Sequence, residues 1–169
     1  MEINLTNYQT SWVDKYKEEC EILNEILGNE VIKFEHFGST AVEGMKAKPV
    51  VDMMVIVKDI EKIDLYNKKF ESLGYDVAGE WGIEGRRLLR KGGNRRTHHI
   101  HIYEYTNKEI KRHLLVRDYL RINTEEAQKY SEMKASLAEK YNNTYDYSKG
   151  KRGYVSELEQ RAITYFEGI

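Results

Sequence analysis

The chain has 169 residues, 40% of them hydrophobic and 33% charged, and its 27 basic and 28 acidic side chains leave a net charge of −1. That length suits one domain with a sizeable core, and the near-zero balance argues against a dedicated nucleic-acid coat, which carries a basic excess. A single cysteine, Cys20, excludes an intramolecular disulfide and fits a reducing cytoplasm. No basic stretch followed by an apolar run reads as a secretion signal in MEINLTNYQTSW, and no apolar segment is long enough to span a membrane.

In chain order, residues 11–27 carry Trp12, Tyr16, Cys20, Leu23 and Ile26 or Leu27 at helical spacing, with Thr10 or Ser11 as cap and Gly28 as stop. VIKFEHF, 31–37, reads as a strand. The turn GSTAVEGMKAK follows, then an apolar strand over 49–57. Asp59 opens a second helix that runs to Gly74. Three short strands are expected at about 75–80, 86–91 and 97–104, the last two joined across Gly92-Gly93-Asn94. Helical patterns then cover 107–122, 124–141 and 147–167. This is α+β: a mixed β-sheet with packed helices in 1–106 and a helical C-terminal third in 107–169, together one domain.

Two strands carry unusual chemistry. On the strand 49–57, Val50, Asp52, Met54 and Ile56 share one face of a segment that is apolar on both sides. A carboxylate there needs a cation, a metal or several donors; an arginine pair or a backbone cap would satisfy it equally. The preceding Gly38-Ser39-Thr40 turn, read as leading into a helix, offers amides and hydroxyls to an anion, with Lys46 and Lys48 in reach. On THHIHIYEY, 97–105, His99, His101 and Tyr103 face one way, and two imidazoles at i and i+2 can share a ligand or a metal, or simply face solvent. Arg86 and Arg87 lead the preceding strand, whose alternation leaves open which of them faces a phosphate.

Glu35-His36-Phe37-Gly38-Ser39-Thr40-Ala41-Val42, Gly44, Ala47-Lys48-Pro49-Val50-Val51-Asp52, Gly74-Tyr75, Gly82-Ile83-Glu84-Gly85-Arg86-Arg87, Thr97-His98-His99-Ile100-His101, Arg117-Asp118-Tyr119-Leu120-Arg121 and Lys134, in that order, resemble the GrpB family. The resemblance covers nearly the whole chain and implies a nucleotidyltransferase-like fold of the DNA polymerase β type. It implies a cytoplasmic enzyme that moves a nucleoside monophosphate from a triphosphate to a small acceptor, or a module of the same fold that only binds a nucleotide or phosphorylated metabolite. A third implied reading is another metal-dependent phosphotransfer or hydrolysis.

In that family pattern Gly38, Ser39 and Thr40 meet the phosphates with Lys48, Arg86, Arg87, Arg117 and Arg121. Asp52, His99 and His101 are the catalytic candidates and would hold a divalent metal, magnesium or manganese, or zinc on the nitrogen-rich set. Met54 occupies the place of the second metal-binding carboxylate of nucleotidyltransferases. Oligomeric state is not legible.

Overall fold

Helix α1 (Ser11–Leu27) forms because Trp12, Leu23 and Leu27 repeat on a face that the sheet covers completely. Gly28 stops it at φ 52, where its N–H donates to the Asn24 carbonyl, while the Thr10 side chain makes no capping bond. The computed structural model describes residues 3–168. Five strands follow: β1 (Val31–Phe37), β2 (Val51–Val57), β3 (Asp76–Gly79), β4 (Arg87–Lys91) and β5 (His98–Glu104). They form one sheet in the order β1-β2-β5-β4-β3, parallel only between β2 and β5. β2 is therefore central, which accounts for its near-continuous apolar run.

Three boundaries differ from the sequence expectation. β2 starts at Val51, not at 49, because Pro49 has no N–H to give the ladder and the Val50 N–H turns back to the Lys48 carbonyl at 2.7 Å. The helix expected after Asp59 breaks into α2 (Ile60–Ile63), a 3₁₀ turn over Asp64–Tyr66, and α3 (Asn67–Ser72). The weak helix formers Ile63, Asp64, Tyr66 and Asn67 cluster there, and Asp64 is drawn out to Arg87. The last helix begins at Thr144, not 147, since the Asn143 side chain accepts the Asp146 N–H at 2.8 Å.

One sheet face carries Met53, Val55, Val57, Leu89, Ile100 and Ile102 against α1 and α3. The other buries Phe37, Met54, Ile56 and Tyr103 against α4 (Glu109–Ile122). Helices α5 (Thr124–Lys140) and α6 (Thr144–Glu167) then pack with α4 around Val42 and Met45, so the segment between β1 and β2 is gripped by the helical third. Among the described residues no helix is long and apolar enough to cross a membrane.

Glu19 is a buried charge that helical periodicity alone places poorly: it is 1% exposed on the core face of α1. The Tyr75 hydroxyl donates to it at 2.7 Å, and the Lys91 ammonium donates to both of its oxygens at 2.8 Å, which pins α1 to the end of β4. Removing one partner strands the other in a desolvated site. Glu19→Ala should lower unfolding free energy by about 3 kcal/mol in urea denaturation. A loss below about 1 kcal/mol would show that Lys91 finds water instead.

Candidate functional site

The chain leaves β1 at Gly38 with φ 72, immediately over the Phe37–Asp52 end of the ladder. A Cβ at Gly38 would lie 2.9 Å from Asp52 Oδ2 and 3.2 Å from its Cβ, so both the positive φ and the close approach require glycine. Ser39–Ala41 is a single 3₁₀ turn, not the start of a longer helix as the sequence reading supposed. The Thr40 hydroxyl lies 3.0 Å from Nε2 of the buried His36, so it serves the fold. Burial drives the His36 imidazole down to about 4.

Arg117 and Arg121 do share a face of α4, but their guanidinium groups hold the turn from behind. Arg117 donates to the His36 carbonyl at 3.0 Å and pairs with Glu35 and Asp118; Arg121 Nε donates to the Ala41 carbonyl at 2.9 Å. Lys46 reaches Asn7 rather than the cleft, at 2.7 Å.

The parallel β2–β5 register sets Asp52 beside His99 and Met54 beside His101. His101 Nε2 is 3.2 Å from Asp52 Oδ1, and His99 Nδ1 lies 3.7 Å from the same oxygen, an electrostatic approach rather than a hydrogen bond. The other nitrogen of His101, Nδ1, faces Arg86 Nη1 at 3.2 Å. A guanidinium can only donate, so Nδ1 carries the lone pair and Nε2 the proton. That N–H donates to Asp52.

Arg86 is 6% exposed; its Nε donates to the Glu80 carbonyl at 3.2 Å and its Nη2 to the Trp81 carbonyl at 2.9 Å. His101 is therefore a positioning residue rather than a free base. His99, with 39% of its side chain exposed, has no protein partner at Nε2 among the described residues and is the imidazole open to a ligand. Burial alone would raise the Asp52 carboxyl, but the His101 and His99 imidazoles outweigh it and hold the acid well below the usual carboxylate range.

Three lysines complete the site. Ser39, Lys48, Asp52, His99, Lys134 and Lys151 line a cavity of about 190 Å³. Lys134, from α5, is 2% exposed; its ammonium donates to Ser39 Oγ at 2.8 Å and to the Lys46 carbonyl, over the Tyr130 ring. Burial first, then Lys151 and Lys48, push its pKa down to about 7. Lys48 and Lys151 lie 4.6 and 5.4 Å from the Tyr147 ring centroid, and among the described residues neither has an ion-pair or hydrogen-bond partner.

Lys151 and Tyr147 were absent from the sequence-derived site, and Lys134, which the resemblance includes, had no role assigned in it. The available signal was a lysine inside an otherwise buried helical stripe: Ala127, Tyr130 and Lys134 on α5, and Tyr147, Lys151, Leu158 and Ala162 on α6. A second cavity, about 300 Å³, adjoins the first and shares Ser39, Asp52 and Lys151 with it; Val116, Leu120 and Val155 wall it together with Arg112, Arg117 and Glu159.

A divalent metal does not fit this arrangement. Asp52 is the one carboxylate lining the lysine-lined cavity, and Met54 at the second position is fully buried among Phe37, Ile56 and Tyr103. The expected Asp52–His99–His101 set does not form: His101 presents a proton to Asp52, and three ammonium groups face the space where a cation would sit. Among the described residues no group of three or more His, Cys, Asp or Glu side chains could hold a metal ion. Arg87 is a further correction. It sits cross-strand from Ile102 on the opposite sheet face, paired with Asp64 at 2.7 Å.

The fold and the chain both have relatives. The crystal structure of conserved protein GrpB from Enterococcus faecalis matches with a TM-score of 0.93 at 42% identity, covering 96% of this chain and 99% of that one. A structure of Cid1 poly(U) polymerase with MgGTP bound matches at TM-score 0.50 and 13% identity over 76% of this chain and 42% of that chain, a likeness of fold alone.

UPF0157 protein YqkA of Bacillus subtilis is 38% identical over 98% of this chain, which spans 49% of that protein's length. Glutamate-rich protein GrpB of Alkalihalophilus pseudofirmus is 32% identical, over 93% of this chain and 94% of its own. The family model described as GrpB protein matches residues 2–161. The chain belongs to the GrpB family, with a mixed α+β fold that resembles that of Cid1 poly(U) polymerase.

Proposed function

We propose that the cleft binds the phosphates of a nucleotide and transfers a nucleoside monophosphate to the hydroxyl of a small acceptor. The observation that carries this reading is the convergence of Lys48, Lys134, Lys151 and Ser39 on a cavity whose lining contains one carboxylate. Such a site attracts an anion, and its low dielectric strengthens every ammonium–oxygen contact. Asp52, 3.7 Å from Nδ1 of His99, electrostatically favours the proton on that nitrogen and leaves Nε2 as the base. That nitrogen takes the acceptor proton as the hydroxyl oxygen bonds to the α-phosphorus. The bond to pyrophosphate breaks, and the leaving charge falls among the lysines. The second cavity, which also reaches Asp52 and Ser39, accommodates the acceptor.

A second reading is a module that binds a nucleotide or other phosphorylated metabolite without turning it over. Buried Met54 favours it, because the carboxylate pair that usually serves nucleotidyl transfer is missing. Calorimetry with a nucleoside triphosphate, with and without magnesium, together with assay of released pyrophosphate, separates the two. Binding with no product favours the module; no binding of any phosphorylated ligand contradicts both.

Two outcomes follow from the charge arrangement. Asp52→Asn removes the negative charge from a cationic cavity, so affinity for tripolyphosphate should rise about fivefold while turnover falls about 10²–10⁴-fold. Weaker, magnesium-dependent nucleotide binding in that variant would instead mark Asp52 as a metal ligand.

The second concerns pH. Free Lys134 loses its proton as pH rises through about 7, whereas the anion-bound form keeps it. Binding therefore takes up a proton, and affinity should drop up to about tenfold per pH unit just above that value. The neighbours facing Lys134 are Lys48 and Lys151, both lowered by burial, and Tyr130, raised by burial. Ionisation of the phosphate would act in the opposite sense. Lys134→Met should bind weakly with a flat profile; a pH-independent wild type contradicts the assignment.

A further inference from the structure

Trp81 is the large aromatic beside the site that the reaction above leaves unused. It is 62% exposed and, among the described residues, the one non-glycine with positive φ, at 46°. A bulky residue held there is strained, and such strain persists only where the surroundings impose it. The surroundings do. The Trp81 carbonyl accepts from Arg86 Nη2 at 2.9 Å, and the Arg86 N–H donates to the Ile83 carbonyl at 3.1 Å. Across the loop, Glu80 Oε2 accepts the Gly85 N–H at 2.7 Å. Arg86 also contacts His101, so one guanidinium fixes both the tryptophan's backbone and the tautomer facing Asp52.

The indole does not flap over solvent. The Arg90 guanidinium carbon lies 4.7 Å from its ring centroid and backs one face, while Asp76 holds Arg90. Arg90 is the cross-strand partner of His99, and Leu88 is that of His101, so these four side chains share the sheet face on which Asp52 sits. Strands stand about 4.8 Å apart. The Arg90 backbone therefore lies roughly two strand spacings from Asp52, on the side away from Ser39, and its side chain carries the aromatic plate one arginine length farther. A nucleotide whose phosphates meet the lysines reaches that plate only with its ribose and base extended past His99.

We propose that Trp81, stiffened by Arg90, is the stacking platform for the nucleobase of the bound nucleotide. This rests on the nucleotide reading above and narrows it: the ligand carries a planar aromatic group, which excludes purely aliphatic phosphate esters as the preferred substrate class. Stacking on an indole accepts any base, so the platform supplies affinity more than base choice.

The test compares wild type, Trp81→Ala and Trp81→Phe by calorimetry with three probes: ATP, UTP and inorganic tripolyphosphate. Tryptophan emission is read in parallel; the other tryptophan, Trp12, is fully buried and serves as the internal constant. Wild type should bind the nucleotides roughly tenfold more tightly than tripolyphosphate, with quenching by the nucleotides alone. Trp81→Ala should lose that margin and keep its tripolyphosphate affinity, and Trp81→Phe should keep most of the margin without the quenching. A margin that survives Trp81→Ala overturns the platform while leaving phosphate binding intact. Equal loss for all three probes in a folded Trp81→Ala also overturns it, assigning Trp81 a structural role through Arg86. If no probe binds wild type, the phosphate reading fails and the platform falls with it.

Discussion

The arrangement depends on how the buried negative charge of Asp52 is met. A carboxylate inside an otherwise apolar central strand would be untenable alone. Arg86 meets it at one remove. Its guanidinium fills the Nδ1 lone pair of His101, which forces the Nε2 proton toward Asp52. A charge-assisted hydrogen bond thus replaces the direct ion pair that a buried acid more often takes. Because the neutralising group is an imidazole N–H rather than a guanidinium, the acid is not sealed off: a third of its side chain still opens to the cleft, 33% by area.

That partial opening sets the character of the cavity. Lys48 comes from the loop before β2, Lys134 from α5 and Lys151 from α6, so the helical third brings two of the three positive charges to the sheet. The same helices carry the apolar clusters that fix their distance from β2, and the grip of Arg117 and Arg121 on the Gly38–Ala41 turn keeps Ser39 in line with them. Core packing and the proposed anion binding are carried by one set of elements. The likeness to Cid1 poly(U) polymerase is one of fold alone and says nothing of these lysines.

Much of the frame was legible in the chain. Alternation along 97–104 put His99 and His101 on one side of their strand, and Asp52 stood out within 49–57; the parallel register, which the sequence does not show, brings them together. Gly38 and Ser39 were readable only together with the carboxylate on the next strand, since most small-residue turns after a strand bind nothing. The arginines were harder. Arg86 precedes the first residue of β4 and Arg87 begins it, so alternation could not say which would turn toward the histidines. Arg117 and Arg121 looked like ligand contacts because spacing shows a shared helix face but not what that face meets. Lys151 stayed hidden and Lys134 went without a role because each is a charged position in a buried stripe, and their convergence on Ser39 depends on the packing of helices some hundred residues away in sequence.

The protonation pattern of His101 is the point at which the account is most exposed. Ring-¹⁵N NMR of the protein, recorded without and then with added magnesium, reads which nitrogen carries the proton. The account predicts a proton on Nε2 and a lone pair on Nδ1 in both spectra, with Arg86→Met collapsing that preference. A proton on Nδ1 with Nε2 bare toward Asp52, or a magnesium-induced switch to that form, would contradict it and restore a metal site.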